Sequence, residues 1–211
     1  MYELRQYTLR PGVRDAFVAL FDAELVESQE DAGMLVLGQF TDLDRPDVFV
    51  WIRGFSDMTS RRAALETFYG GPVWAAHREI ANAMMLDSDD VLLLKPAGGA
   101  APLETHLRRR APRQVAAPPT SVITVDVHPI PIEEADSLDR NREQPSPARC
   151  GGVVLGRLLT ERASNSFPQL PIRDDVHVLV TIARAHGSAE TLHDDQTEQL
   201  RLVPTSRSAL R

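Results

Sequence analysis

Glu3, Arg5 and Tyr7 recur at steps of two near the start of the chain, and Trp51 and Arg53 repeat that step farther on. A step of two places side chains on one face of a strand, so each set presents its charges and rings together. Guanidinium groups grip planar anions through parallel hydrogen bonds, which suits a carboxylate, an enolate or a phenolate. Glu3 offers a plainer use for the same arginines. A Glu3–Arg5 or Glu3–Arg53 ion pair would tie strands together and bind nothing, because a lone charge is costly to bury. From sequence alone both readings stay open. Tyr7 could donate a proton or close a hydrogen-bond network. His77 could serve as a general base, the usual role of histidine in catalysis, and a structural role is the alternative. Tyr69 and Trp74 complete the set. Aromatic walls with a few convergent polar groups are what a small-molecule pocket needs. The candidate ligand-binding residues are therefore Glu3, Arg5, Trp51, Arg53, Tyr69 and Trp74, and the candidate catalytic residues are His77 and Tyr7.

The remaining signals exclude. A formal net charge of −7 and a pI near 5.4 leave little basic surface for nucleic acid. Arg108, Arg109 and Arg110 form the one basic run, set in an Ala- and Pro-rich stretch that reads as solvated linker. The single cysteine, Cys150, rules out an internal disulfide and suits a reducing cytoplasm. No apolar run reaches the roughly 18 residues of a membrane-spanning helix. The first residues follow a strand pattern rather than that of a signal peptide. The expectation is a soluble cytoplasmic protein with neither nucleic acid nor membrane as partner. His106, His128, His177, His186 and His193 lack zinc spacing, so no metal is expected. Asp87, Asp89 and Asp90 lack the glycine and distal glutamate of a calcium loop. Nucleophile-elbow, phosphate-loop and dinucleotide motifs are absent, and the reading calls for no cofactor.

Strands must position these residues. Residues 1–9 alternate, and Pro11 with Gly12 breaks the pattern. A helical period follows through Val13, Phe17, Leu20, Phe21 and Leu25, with Gly33 suited to a left-handed cap. Strands are predicted over 34–40 and 48–55. Ser56 and Asp57 cap a helix reaching about Tyr69, and Pro72 opens another reaching about Leu86. A strand over 91–95 completes β-α-β-β-α-β, the ferredoxin-like order. Residues 97–119 read as a linker. Strands at 122–127, 153–160, 176–183 and 200–203 follow, with weaker helices near 132–141 and 189–199.

The second half echoes the first. GMLVLGQ at 33–39 returns as GGVVLGR at 151–157, and DVFVWIR at 47–53 as DVHVLVT at 175–181. Two echoes in one order argue for an internal duplication, matching Gly38 with Gly156 and Val50 with Val178. The copies differ in chemistry: Trp51 and Arg53 align with Leu179 and Thr181. The loop between the echoed strands is also roughly ten residues longer in the second copy.

Three stretches resemble the NIPSNAP family: YELRQYTLRPG at 2–12, FVWIRGF at 49–55 and FYGGPVWAAH at 68–77. The likeness covers about residues 1–95; beyond that it extends only to strands and to LRLVP at 200–204. The resemblance implies the dimeric α+β barrel fold, in which two ferredoxin-like sheets close around a central pocket. That wider group includes cofactor-free monooxygenases, isomerases and haem enzymes, in some of which a histidine like His77 ligates haem. It implies no uniform reaction. The expected fold class is α+β, with tandem ferredoxin-like units at 1–96 and 120–211 closing one barrel. Glu3, Arg5, Tyr7, Trp51 and Arg53 are expected to face its lumen, with Val48, Val50 and Ile52 beneath the helices. Tyr69, Trp74 and His77 would cover the mouth. The leading expectation is a small aromatic or polyketide-like ligand bound, and converted if at all, without a cofactor. The rival is a non-enzymatic interaction protein whose barrel is filled by its own side chains. A barrel closed within one chain leaves the outer surfaces free for a homodimer.

Overall fold

The computed structural model describes residues 1–113, 119–140, 152–185 and 196–211. The first unit runs β1 (Tyr2–Leu9), α1 (Arg14–Leu20), a π-helical turn (Phe21–Leu25), α2 (Val26–Asp31), β2 (Leu35–Asp42), β3 (Val48–Gly54), α3 (Met58–Tyr69), α4 (Pro72–Met84) and β4 (Met85–Pro96). Local chemistry sets its punctuation. The Asp57 carboxylate accepts a hydrogen bond from the Ser60 amide at 2.7 Å and caps α3. Gly33 turns the chain at φ 95°. Strand β4 begins at Met85, inside the span expected to be helix, because Met85 turns extended at ψ 138°.

In its described residues the second unit runs β5 (Ile123–Pro129), α5 (Ile132–Arg140), β6 (Gly152–Thr160), β7 (Val178–Ala185) and β8 (Glu198–Pro204). The helix expected near 189–199 falls mostly outside the described residues, and its last two positions are strand. Cys150, His186 and His193 also lie outside them.

The eight strands close into an antiparallel barrel in the order β1-β3-β2-β8-β5-β7-β6-β4, with β4 returning to β1. Each unit contributes the same order, β4-β1-β3-β2 and β8-β5-β7-β6. The seams match in register too: Pro96 pairs with Leu158, and Pro204 with Phe40. A bulge precedes Gly38 opposite Ile52, and another precedes Gly156 opposite Ile182. The pairing therefore sets Gly38 over Gly156, as expected, but Val50 over Val180 rather than Val178. Trp51 and Arg53 correspond to Thr181 and Ala183, so the second echo is displaced by two residues.

The expected facing of the rows is reversed. Val48, Val50 and Ile52 point into the lumen, packed with Leu4, Val125, Val180 and Leu202 in one core drawn from both units. Tyr7 and Trp51 lie instead with the helices, in a second core that holds Phe17, Phe21, Leu65 and Phe68. The reason is space. An eight-stranded barrel is just wide enough for its own side chains to fill, and short branched residues fit. Arginines and indole rings need the deeper layer between sheet and helices.

The segments that follow β4 and β8 seal this core. Leu103 and Leu210 are fully buried members of it. A Cβ on Gly156 would come within 2.4 Å of Leu103, and one on Gly38 within 2.4 Å of the Phe40 ring and 3.2 Å of Leu210, so each bulge glycine makes room for the core side chains packed over it. Within the stretch read as linker, 97–119, Leu103 is thus part of the core. Arg110 is likewise not solvated: it pairs with Glu30 at 2.8 Å and donates to the Val36 carbonyl.

A shared lumen should unfold as one. Ile182→Ala should cost about 2–5 kcal/mol. Ile132→Ala, at a position 40% exposed, should stay within about 0.5 kcal/mol. Urea denaturation followed by far-UV circular dichroism and tryptophan emission should show coincident transitions. Separate transitions would mean that the units have independent cores.

Candidate functional site

Beneath the helices of the first unit, one carboxylate meets three guanidiniums. Glu3 and Arg53 face each other across β1 and β3, and Arg5 faces Trp51. Arg5 Nη1 donates to Glu3 Oε2 at 2.8 Å, and Arg53 Nε donates to the same oxygen at 2.7 Å. Arg61 Nε, from α3, donates to Glu3 Oε1 at 2.6 Å. All four side chains are at most 1% exposed. Among the described residues, Glu3 is the one carboxylate within ion-pair distance of these arginines. The cluster thus carries a surplus of two positive charges in a place without solvent.

Its remaining donors are partly satisfied. Arg5 Nε donates to the Tyr7 hydroxyl at 3.0 Å, and Arg53 Nη1 to Gln29 Oε1 at 3.2 Å. Arg61 Nη1 donates to Asn165 Oδ1 at 2.9 Å and Ser166 Oγ at 3.2 Å, both in the second unit. Arg61 Nη2 and Trp51 Nε1 are buried and have no hydrogen-bond partner among the described residues. Trp51 backs the cations, with Arg53 5.0 Å and Arg5 5.7 Å from its ring. The π-helical turn aims Phe21 at the same indole, 4.9 Å away. Such turns inside helices are frequent at functional sites.

A cavity of about 30 Å³ adjoins the cluster, lined by Tyr7, Gln29, Trp51, Phe68, Tyr69 and Trp74 among others. The expected site residues therefore meet, except for one. His77 is absent from the lining; its Nε2 lies 3.8 Å from Glu24 on the partly exposed side of α4. The cluster and cavity are outside the barrel lumen, contrary to expectation. Sequence reasoning missed Arg61, although it shares the buried stripe of Ala64, Leu65 and Phe68 on α3. It also missed Gln29, Asn165 and Ser166.

Among its described residues the second unit has no such cluster. By pairing register, Glu3, Arg5 and Tyr7 correspond to Thr124, Asp126 and His128. There the Asp126 carboxylate accepts from Gln199, and His128 meets Thr197 at 2.8 Å.

Burial pushes the Glu3 carboxyl up, but Arg53, Arg5 and Arg61 overrule it and hold it well below the usual carboxylate range. Burial raises the Tyr7 phenol against the pull of Arg5. Tyr7 is therefore a neutral hydroxyl at pH 7, able to donate.

The architecture defines a class: an α+β barrel of two ferredoxin-like units, with its polar cluster under the first unit's helices. Residues 2–98, most of the first unit, match the NIPSNAP family model. Over its whole length the fold is similar to that of a candidate monooxygenase from Fusobacterium nucleatum. The two share 11% identity over 97% of this chain and 91% of that one, with a TM-score of 0.53. Part of the chain is similar to a NIPSNAP family protein of unknown function from Agrobacterium tumefaciens, at 21% identity over 43% of this chain and 81% of that one, TM-score 0.40. A NIPSNAP domain protein from Burkholderia xenovorans shares 18% identity over 44% of this chain and 91% of that one, TM-score 0.40. No curated protein matches the sequence.

The depressed Glu3 pKa fixes the sign of an acid effect. Ionised Glu3 adds stability above its unfolded pKa, about 4.3. That share is lost as pH falls toward the folded value. The melting temperature should therefore fall on acidification below about pH 5. Glu3→Gln should melt lower already at neutral pH, by the equivalent of about 3–5 kcal/mol, with a shallower acid slope. Calorimetry across acidic pH checks both; parallel curves would show that Glu3 does not carry the effect.

Proposed function

We propose that the first unit binds a small aromatic or polyketide-like molecule between its sheet and its helices. The observation that carries this reading is the uncompensated buried cation cluster beside an aromatic-lined cavity. A surplus of buried charge is expensive, and an anionic or anion-forming ligand would relieve it. Trp51, Tyr69 and Trp74 supply the apolar wall. If the molecule is converted, Tyr7 is positioned to give a proton, and Arg5 and Arg53 to stabilise developing negative charge away from water. This chemistry calls for no cofactor, no second copy of the chain and no nucleic acid. The single cysteine fits work in a cytoplasm, and no helix among the described residues is long and apolar enough to cross a membrane.

One observation favours the rival reading, a non-enzymatic interaction protein. The lumen is packed by side chains of both units. Ile80 and Leu86, 56% and 57% exposed, would give a partner apolar surface at the end of α4.

Native mass spectrometry of the protein purified from its source should reveal a retained small molecule. Both tryptophans of the chain flank the cavity, so their emission should change when that molecule is removed. Arg53→Leu leaves Glu3 paired with Arg5 and Arg61, so the fold should survive. Ligand retention should fall at least tenfold, about 1.4 kcal/mol. An Arg53→Leu protein that keeps its ligand would remove the clamp role. A native protein with no bound molecule and no emission change would put the rival ahead.

A further inference from the structure

The second unit reaches into the first unit's site. The β6–β7 loop, residues 161–177, is pinned at both ends to β4: the Glu161 amide donates to the Leu93 carbonyl, and the Arg173 amide to that of Val91, each at 2.8 Å. Arg173 also pairs with Asp90 at 3.2 Å. Between these anchors the loop closes on itself. Asn165 Nδ2 donates to the Leu170 carbonyl at 2.8 Å, and the Phe167 amide to Asn165 Oδ1 at 3.0 Å. The tip meets the site in two places. Asn165 and Ser166 accept from Arg61 Nη1, and the Phe167 ring stacks on Tyr69 at 5.9 Å and 22°.

On the reading that this layer binds a small molecule, we infer that the loop tip occupies the ligand's own place, and that the ligand is an aryl carboxylate. Two mismatches point that way. Arg61 spends Nε on Glu3, which leaves its Nη1–Nη2 edge to face a partner. The loop satisfies Nη1 alone and leaves Nη2 buried without an acceptor. A carboxylate fork would fill both. The loop's oxygens are also neutral, so they leave the surplus charge of the cluster unbalanced, whereas a carboxylate supplies negative charge. Phe167 marks where the ligand's ring would lie, against Tyr69.

Something must move to admit such a molecule, because a cavity of about 30 Å³ holds about one water. Helices and strands line the cavity itself, and the loop tip meets that lining through Tyr69, on which Phe167 stacks. The loop has no regular secondary structure, and a few side-chain contacts hold its tip, which makes it the cheapest part to open. The tip then competes with the ligand, and Asn165, Ser166 and Phe167 set the threshold for entry.

The test uses the full-length chain and 2-naphthoate, with neutral 2-naphthamide as its control, followed by tryptophan emission and calorimetry. The combined variant Asn165→Ala, Phe167→Ala should bind naphthoate about tenfold more tightly than wild type. Naphthamide should bind at least tenfold more weakly than naphthoate to both proteins. Arg61→Lys keeps the charge but loses the fork, and should lose naphthoate binding. If the double variant fails to fold, Phe167→Leu keeps the packing without the stacked ring and should show the same direction. Weaker naphthoate binding in the loop variants would overturn the competition. Equal binding of naphthamide would overturn the carboxylate and leave the binding reading standing. No naphthoate binding by any variant, in a protein that native mass spectrometry shows to carry a molecule, would sink the aryl carboxylate alone; no carried molecule either would sink both.

Discussion

The first unit is organised around the Glu3 carboxylate. Three guanidiniums converge on it from β1, β3 and α3, and none of the four groups has water to turn to. An uncompensated buried charge costs several kcal/mol, so each of these elements is held to its neighbours by more than apolar contact. The β1–β3 register must bring Glu3 opposite Arg53, and a slip of β1 by one residue would turn Glu3 to the lumen and leave Arg53 without it. Helix α3 must lie at the depth that lets Arg61 reach Glu3. The aromatic rings then follow, because Trp51 and Tyr7 share the row that these charges fix.

Closure of the barrel explains why this layer, and not the lumen, carries the chemistry. Two sheets of four strands meet at matched seams and fill the interior with short branched side chains. Tyr2 and Phe40 are the rings that this interior takes in, and the guanidiniums of Arg5 and Arg53 and the Trp51 indole lie on the helical side instead. Among the described residues, the second unit has few helices and no comparable cluster on its outward face. Its contributions to the first unit are a sheet edge, a lumen face and one long loop.

The sequence made strand positions, the unit order and the paired glycines legible, because alternation and turn residues are local signals. It also grouped Glu3, Arg5, Tyr7, Trp51 and Arg53 on one face. It did not say which face, since every residue of β3 is buried and alternation loses its inside–outside meaning when both sides are covered. The echo at 47–53 and 175–181 misled by two residues because steps of two preserve the apolar pattern. Arg61 was readable from its stripe with Ala64, Leu65 and Phe68. Asn165 was not, because a loop residue more than a hundred positions away leaves no periodic trace.

The strap after β8 has a consequence for how the protein is made. The Thr205 amide donates to the Gln39 carbonyl, the Leu210 amide to that of Leu37, and Arg207 holds Glu27 and the Asp22 carbonyl. These residues emerge from the ribosome after every element that they seal. Until then β2 presents an open edge and the first unit's lumen row lies bare, although all of its own residues have been synthesised. Such edges pair readily with other chains. Vectorial synthesis, ordinarily an aid to N-terminal domains, here leaves the first unit waiting for residues 198–211, a window in which a nascent-chain chaperone would matter most.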